Sequence, residues 1–162
     1  MSATYNFSAA NILSANIEGI EIGLAISMVK LQKEMRVLLS TKGTGVGYRG
    51  GRKHKGNFRT RSSPGQPPAI DTGALHRSVQ TKPEERKTDK VISIVMTGLV
   101  AGIHKDARIP RWLEFGTSKG LAERPFIRPS LKVVEPTVQK TIEEQMQKAI
   151  KRMRNSIVSG KK

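Results

Sequence analysis

Glu114 and Glu123 are the side chains that come nearest to a pair of acid–base catalysts in this sequence. Paired carboxylates can cleave glycosidic bonds, one giving a proton while the other acts as nucleophile or base. Here each has a simpler interpretation, because Arg111 and Arg124 lie close by in the sequence and would pair with them. The two carboxylates therefore do not predict a catalytic site.

Other catalytic or metal-binding patterns are also missing from the sequence. His54, His76 and His104 are far apart and none stands in an HExxH pattern. There is no cysteine, and no GxSxG segment to present a nucleophilic serine. The glycines of residues 43–47 superficially resemble a phosphate-binding loop, but such a loop follows a strand and opens a helix that carries GK[ST]. We therefore expect no enzyme activity, no metal and no cofactor.

Net charge is the strongest signal in the composition. The 162 residues carry 29 Lys and Arg against 13 Asp and Glu, which leaves a net charge of +16. Such a charge predicts attraction to nucleic acid or to acidic protein surfaces, and it indicates nothing about the fold. The length fits a single domain spanning residues 1–162. We expect no signal peptide and no membrane span, hence no membrane partner.

Two long helices are predicted, one near each end of the chain. Over residues 14–39 apolar side chains recur every three or four positions, the period of one helical face: Ile17, Ile20, Leu24, Met28, Leu31, Met35 and Leu38. Gly19 and Gly23 would weaken this helix by about 1 kcal/mol each relative to alanine, or they mark a close approach to another helix. A second helix is predicted over residues 129–158, and Pro136 should kink or restart it.

Residues 43–68 form a basic arm, rich in glycine and proline, with no apolar periodicity. Such long loops inside a compact domain are typically functional or disordered. We leave three roles open for the arm: contact with DNA, contact with an acidic surface of a partner protein, or no contact at all. The candidate contact residues are Lys42, Arg49, Arg52, Lys53, Lys55, Arg59 and Arg61.

Residues 71–127 predict a small sheet region. Asp71 or Thr72 would cap a short helix that ends near Ser78. Residues 79–82 and 90–97 predict an antiparallel hairpin around a polar turn at 83–86, and residues 98–103 could add a strand. Residues 109–115 predict a short helix or turn that places Trp112 and Phe115 against the sheet. The predicted fold class is α+β, a small antiparallel sheet packed with the N-terminal and C-terminal helices and carrying the extended basic loop.

Two motifs are more specific than any of these patterns. The first motif is residues 63–75, SPGQPPAIDTGAL. The second motif is residues 112–131, which begins WLEFGTSK and ends RPFIRPSL. Both motifs, in this order and at this spacing, closely resemble the tail-completion (head–tail joining, neck) family of long-tailed bacteriophages. Its members pair a PGxPPxxxTGxL stretch with a later LEFGTSK…RPFxRPxL stretch, and the resemblance covers residues 63–131.

The resemblance implies a non-enzymatic virion protein of the neck, which joins the phage head to the tail as part of a ring. It implies six copies, with twelve as the alternative, and contacts with head-closure or connector proteins, tail-terminator or tail-tube proteins, and the genomic DNA in the neck. The protein would be found in the virion, and in the host cytoplasm during assembly. A tail terminator and a plain nucleic-acid-binding protein are the alternative functions.

The motif residues have expected physical roles. The prolines stiffen the exit from the arm, and Gly73 and Gly116 permit tight turns. Trp112, Phe115 and Phe126 anchor the loop of the second motif to the sheet, and truncating a buried one to alanine would cost about 3–5 kcal/mol. Arg124 and Arg128 are interface candidates, because arginine is enriched at protein contacts. The structural motif residues are Pro64, Gly65, Pro67, Pro68, Asp71, Thr72, Gly73, Leu75, Trp112, Glu114, Phe115, Gly116, Thr117, Phe126 and Pro129.

Overall fold

The computed structural model describes residues 8–49, 58–87, 90–96 and 108–159. In chain order, its elements are α1 (Ala9–Leu38), β1 (Gly47–Arg49), β2 (Phe58–Thr60), α2 (Ala74–Ser78), β3 (Gln80–Lys87), β4 (Lys90–Met96), α3 (Ile109–Phe115) and α4 (Ile127–Val158). The strand predicted at residues 98–103 lies outside the described residues.

The fold is mostly helical, so the predicted α+β class is wrong. Helix α1 has 30 residues and α4 has 32. In the described part of the chain the strands make only separate two-stranded pairs, β1 with β2 and β3 with β4. A pair of strands is marginally stable in water, and it offers too small an apolar face to form the layer on which two long helices pack.

Several element boundaries differ from the predictions. α1 begins at Ala9 rather than at residue 14, and α4 begins at Ile127 rather than at 129. α4 continues through Pro136 without restarting. The segment predicted as a turn at residues 83–86 belongs to β3. The short helices α2 and α3 are present where the sequence predicts them.

The chain divides into two compact units. The first unit comprises Met1–Val29, Pro83–Ile94 and Glu135–Lys162, and the second comprises Lys30–Lys82 and Val95–Val134. Neither unit is a continuous stretch of sequence. α1 and α4 each contribute residues to both units.

In the first unit, α1 and α4 pack through small side chains. Every fourth residue of α1 is buried along one line: Ala15, Gly19, Gly23 and Ser27. On α4 the buried residues are also four apart: Thr141, Gln145 and Ala149. Rows four residues apart form the ridges by which helices interlock. The predicted apolar face is only half-buried at Ile17, Ile20, Leu24 and Met28, so the small residues, rather than the large ones, make the closest contact.

The two helical glycines mark this close approach, one of the two interpretations left open by the sequence. A Cβ atom added to Gly19 or Gly23 would lie closer than 3.0 Å to the Cα of Met146 or Ile142, respectively. Backbone cannot give way as a flexible side chain can. The two glycines therefore set how closely α1 and α4 pack.

We expect Gly19→Ala to lower the free energy of unfolding by about 1–3 kcal/mol, the typical cost of overpacking. In an isolated helix the same change would raise stability by about 1 kcal/mol. A loss of stability would therefore show the close contact with α4, and a gain would show helix propensity alone. Urea unfolding followed by circular dichroism measures it. Ser14→Ala, at an exposed position of the same helix, is the control and should change stability by less than about 0.5 kcal/mol. A stabilising Gly19→Ala would contradict the close contact.

Helix α1 is also long and apolar enough to cross a membrane, judged by length and composition alone. This differs from the sequence-based expectation that no such stretch exists. Core helices of soluble proteins pass the same test. Signal sequences near an N-terminus pass it as well, and 22% of the tested window of α1 is buried, so length and composition alone do not assign α1 to a membrane.

The second unit has a core of larger side chains. Leu31, Met35 and Leu39 are buried on successive turns at the end of α1, together with Val79 after α2. The carbonyl of Val79 accepts hydrogen bonds from Gln32 Nε2 at 3.0 Å and from Arg36 Nη2 at 2.8 Å. These bonds tie the end of α1 to the chain that follows the first motif.

Candidate functional site

The two motifs are hydrogen-bonded to each other in the second unit. The N–H of Gly65 donates to the carbonyl of Glu123 at 2.9 Å. Arg124 Nε donates to the carbonyl of Ser62, directly before the first motif, at 3.3 Å. The structure thus brings together stretches that are far apart in the sequence.

Glu114 holds the second motif together from inside. Its side chain is 1% exposed. Its carboxylate accepts the backbone N–H groups of Phe126, Ile127 and Arg128, each at 2.9 Å, and Arg128 Nε at 3.1 Å. These N–H groups belong to the start of α4, where a helix has no internal acceptors. Glu114 on α3 therefore caps α4, a role that an N-cap residue of the helix itself usually fills.

Charge and hydrogen bonding set the ionisation of this cluster. Burial alone would raise the pKa of Glu114, but the hydrogen bonds from Ile127, Phe126 and Arg128 outweigh it and hold that pKa below its ordinary value. Hydrogen bonds to Glu123 and then to Glu114 raise the pKa of Arg128 above its ordinary value. Glu114 is therefore a carboxylate at neutral pH, and both of its oxygens accept hydrogen bonds from residues 126–128 of the chain.

The partner of both carboxylates is Arg128, not Arg111 or Arg124 as the sequence suggested. Arg128 Nη2 donates to Glu123 Oε2 and to the carbonyl of Glu114, each at 2.9 Å. Arg124 uses its Nη1 for the carbonyl of Ala122 at 3.2 Å. Both interface candidates thus serve contacts within the chain.

The three aromatics of the second motif have different surroundings. Phe126 is 0% exposed and is a core residue. Trp112 is half-buried, with the Arg108 guanidinium 5.0 Å from its ring centroid. Phe115, predicted as a buried anchor, is instead 64% exposed and lies 5.3 Å from the Arg128 guanidinium. Cations within about 6 Å of a ring face are attracted by its quadrupole.

Tight turns occur where the motif glycines predict them. Gly73 and Gly116, the two predicted turn glycines, have φ of 70° and 71°, a region that side chains disfavour. Gly65 has a positive φ as well, 78°. A Cβ on Gly116 would lie 2.7 Å from the carbonyl oxygen of Leu121. The N–H of Thr117 donates to that same oxygen at 2.9 Å, which closes the turn.

The remaining motif positions mostly shape the backbone. Gly73, and not Asp71 or Thr72 as the sequence predicts, is the N-cap of α2, and it makes no side-chain cap hydrogen bond. The Thr72 hydroxyl accepts the N–H of Ala74 at 3.3 Å, and Asp71 is exposed. Pro68 is buried and Pro64 is exposed, with Pro67, Leu75 and Pro129 half-buried.

Two short segments of the basic arm pair with each other as strands. β1 pairs with β2 antiparallel, with Tyr48 opposite Arg59 and Arg49 opposite Phe58. The N–H of Gly45 donates to the carbonyl of Arg61 at 2.7 Å, which extends the pairing. Lys42 and Arg61 are exposed. Arg52, Lys53 and Lys55 lie outside the described residues, so the arm's contact role stays a prediction.

The described residues give no support to the catalytic patterns. No group of three or more His, Asp or Glu that could hold a metal occurs among them, and His54 and His104 fall outside them. Residues 43–47 lead into strand β1 rather than into a helix, so they do not form a phosphate-binding loop. The expectation of a protein without enzyme activity stays a prediction.

Comparison with known proteins gives no match, whether to a family model, a curated protein or a solved structure. The resemblance to the tail-completion family therefore rests on the residues of the two motifs. Sequence reasoning missed the cap formed by Glu114. The available signal was that residues 124–128 offer no Ser, Thr, Asp or Asn to cap the helix that follows.

Proposed function

We propose that the protein is a non-enzymatic tail-completion subunit, which joins the head of a long-tailed bacteriophage to its tail as part of a homo-oligomeric ring. The proposed ring has six copies, with twelve as the alternative. Its partners would be head-closure or connector proteins on one side and tail-terminator or tail-tube proteins on the other. The proposed location is the virion neck, reached from the host cytoplasm during assembly.

The observation that carries the proposal is the bonding of the two motifs into one structural unit. Their resemblance to the family lies in residue order and spacing, and the hydrogen bond from Gly65 to Glu123 gives that spacing a physical purpose. The buried carboxylate of Glu114 is used to cap a helix rather than to react. Residues that fix backbone geometry are what a structural joining protein needs.

The charge of the chain also fits this location. A subunit carrying +16 would be attracted to acidic neighbouring proteins and to DNA passing through a neck. A plain nucleic-acid-binding function has one observation in its favour. Beyond Glu144, all the charged side chains of α4 are cationic. The four of them are exposed: Lys148, Lys151, Arg152 and Arg154.

Electron microscopy of lysates from the encoding phage, with this gene deleted, tests the proposal. We expect DNA-filled heads lying beside free tails of normal length, because each half assembles without the joining subunit. Supplying the gene from a plasmid should restore intact virions, which is the control.

The other outcomes separate the alternatives. Tails of uncontrolled length would indicate a tail terminator instead. Leaking or empty heads would move the function to head closure. Intact virions would contradict a joining role and would make nucleic-acid binding the first hypothesis.

A further inference from the structure

A groove opens in the second unit between the two motifs. It has a volume of about 870 Å³, within the range of about 300–1,000 Å³ typical of ligand pockets. The first motif contributes residues from Pro68 to Leu75 to its lining, and the second contributes Leu113, Leu121 and Arg124. The motifs therefore supply a concave surface in addition to the bonds that hold them together.

The lining of the groove is mainly apolar. Leu39 and Pro68 are buried within it, while Ile70 and Leu121 are 48% and 38% exposed. Large apolar side chains that line a cavity and remain open to water favour a partner that covers them. Isolated exposed apolar residues need no such explanation, but these two share one groove.

The charged groups of the groove are predominantly cationic. Lys42, Arg61 and Arg124 line it, and Asp71 is the one carboxylate in the described lining. Lys42 and Arg61 are exposed. Opposite charges across an interface steer association and fix register, so this lining favours an acidic occupant.

The walls of the groove are fixed before anything binds. The N–H of Ile70 donates to the carbonyl of Thr41 at 3.1 Å. Arg124 is held against Ser62, and its own N–H donates to the carbonyl of Leu113 at 2.6 Å. A pre-organised site loses less conformational entropy on binding, so a short segment can bind with useful affinity.

We propose that this groove binds a short acidic peptide segment with apolar anchor residues, contributed by a different protein. A second copy of the chain has 13 acidic against 29 basic residues, so it offers few acidic segments to this cationic lining. Duplex DNA presents phosphates but no side chains that fill an apolar cavity. This inference goes beyond head–tail joining and stands on the lining of the groove.

Selection of a random dodecapeptide display library on the purified full chain tests the proposal. We expect the enriched peptides to be acidic and to carry several large apolar residues. Fluorescence anisotropy of the best labelled peptide should show at least about tenfold weaker binding to Ile70→Asp, because the new carboxylate repels the acidic peptide and removes an apolar contact. Lys42→Glu should weaken binding by about threefold to tenfold, since its charge is exposed and screened.

Val133→Asp is the matched control. Val133 is an exposed apolar residue of the same unit and lies outside the groove lining. The Val133→Asp variant should leave peptide affinity unchanged. Ile70→Asp, Lys42→Glu and Val133→Asp should all keep the wild-type circular dichroism spectrum.

Four results would overturn the proposal. They are enrichment of neutral or basic peptides, equal binding by wild type and Ile70→Asp, displacement of the peptide by a short DNA duplex, and loss of self-association in Ile70→Asp on analytical ultracentrifugation. The last would mean that the occupant is a second copy of the chain.

Discussion

We expect Glu114→Ala to lower the free energy of unfolding by about 2–5 kcal/mol. Loss of a helix cap alone typically costs about 1–2 kcal/mol, and leaving a buried donor unpaired adds about 1–3 kcal/mol. Three backbone N–H groups lose their acceptor in this variant. One of the three, the N–H of Phe126, belongs to a fully buried residue. Urea unfolding followed by the fluorescence of Trp112, the one tryptophan of the chain, would measure the change close to the altered site.

Glu123→Gln is the matched control, because Glu123 shares the partner Arg128 but is exposed. Its loss should change stability by less than about 0.5 kcal/mol, as is usual for surface ion pairs. If the two variants were equally stable, the carboxylate of Glu114 would contribute as a surface charge rather than as a buried cap.

The same carboxylate makes stability depend on pH. Hydrogen bonding holds the folded-state pKa of Glu114 below its ordinary value of 4.5. The folded state therefore binds this proton less readily than the unfolded chain does. Its contribution is fully present above pH 4.5 and is lost as the pH falls through the folded-state pKa. Glu114→Gln cannot titrate, so the stability difference from wild type should shrink over that acidic range.

The sequence predicted the positions of the helices better than their partners. Periodic apolar residues locate α1 and α4 because one buried face is a local pattern. The sequence left open whether Gly19 and Gly23 weaken α1 or mark a close helix approach, since which helix approaches a glycine is decided by tertiary packing. The early start of α1 at Ala9 also lacks an apolar period, and the Ser8 hydroxyl caps it by accepting the N–H of Asn11 at 3.2 Å.

The candidate site was predictable as a set of residues but not as a network. The motifs identified Glu114, Phe126 and the turn glycines, while neighbours in sequence suggested the wrong arginines as partners. Arg128 follows Glu114 on the next helix, and the intervening turn at Gly116 brings the two together. Pairing across a turn depends on its geometry, which residue spacing alone does not fix. The predicted sheet failed for a similar reason, because strand patterns at residues 79–82 and 90–97 do not show whether further strands join them.

The aromatic residues of the second motif also show that a sequence pattern does not fix which side chains are buried. One of them gives the second large expected loss of stability. We expect Phe126→Ala to lower the free energy of unfolding by about 3–5 kcal/mol, the usual cost of removing a fully buried aromatic ring. Phe126 is 0% exposed and its backbone N–H is bound by Glu114. The cavity left by the ring would lie beside the start of α4. Urea unfolding followed by Trp112 fluorescence again provides the measurement.

Phe115→Ala is the control that separates burial from membership of the motif. Both phenylalanines belong to the second motif and the sequence predicts the same anchoring role for both, but Phe115 is 64% exposed. Its truncation should change stability by less than about 0.5 kcal/mol, because little apolar area returns to water. Equal losses from Phe115→Ala and Phe126→Ala would contradict the observed burial. A neutral Phe115→Ala that blocks head–tail joining would instead assign the exposed ring to a contact with another protein, since folding would not explain its effect.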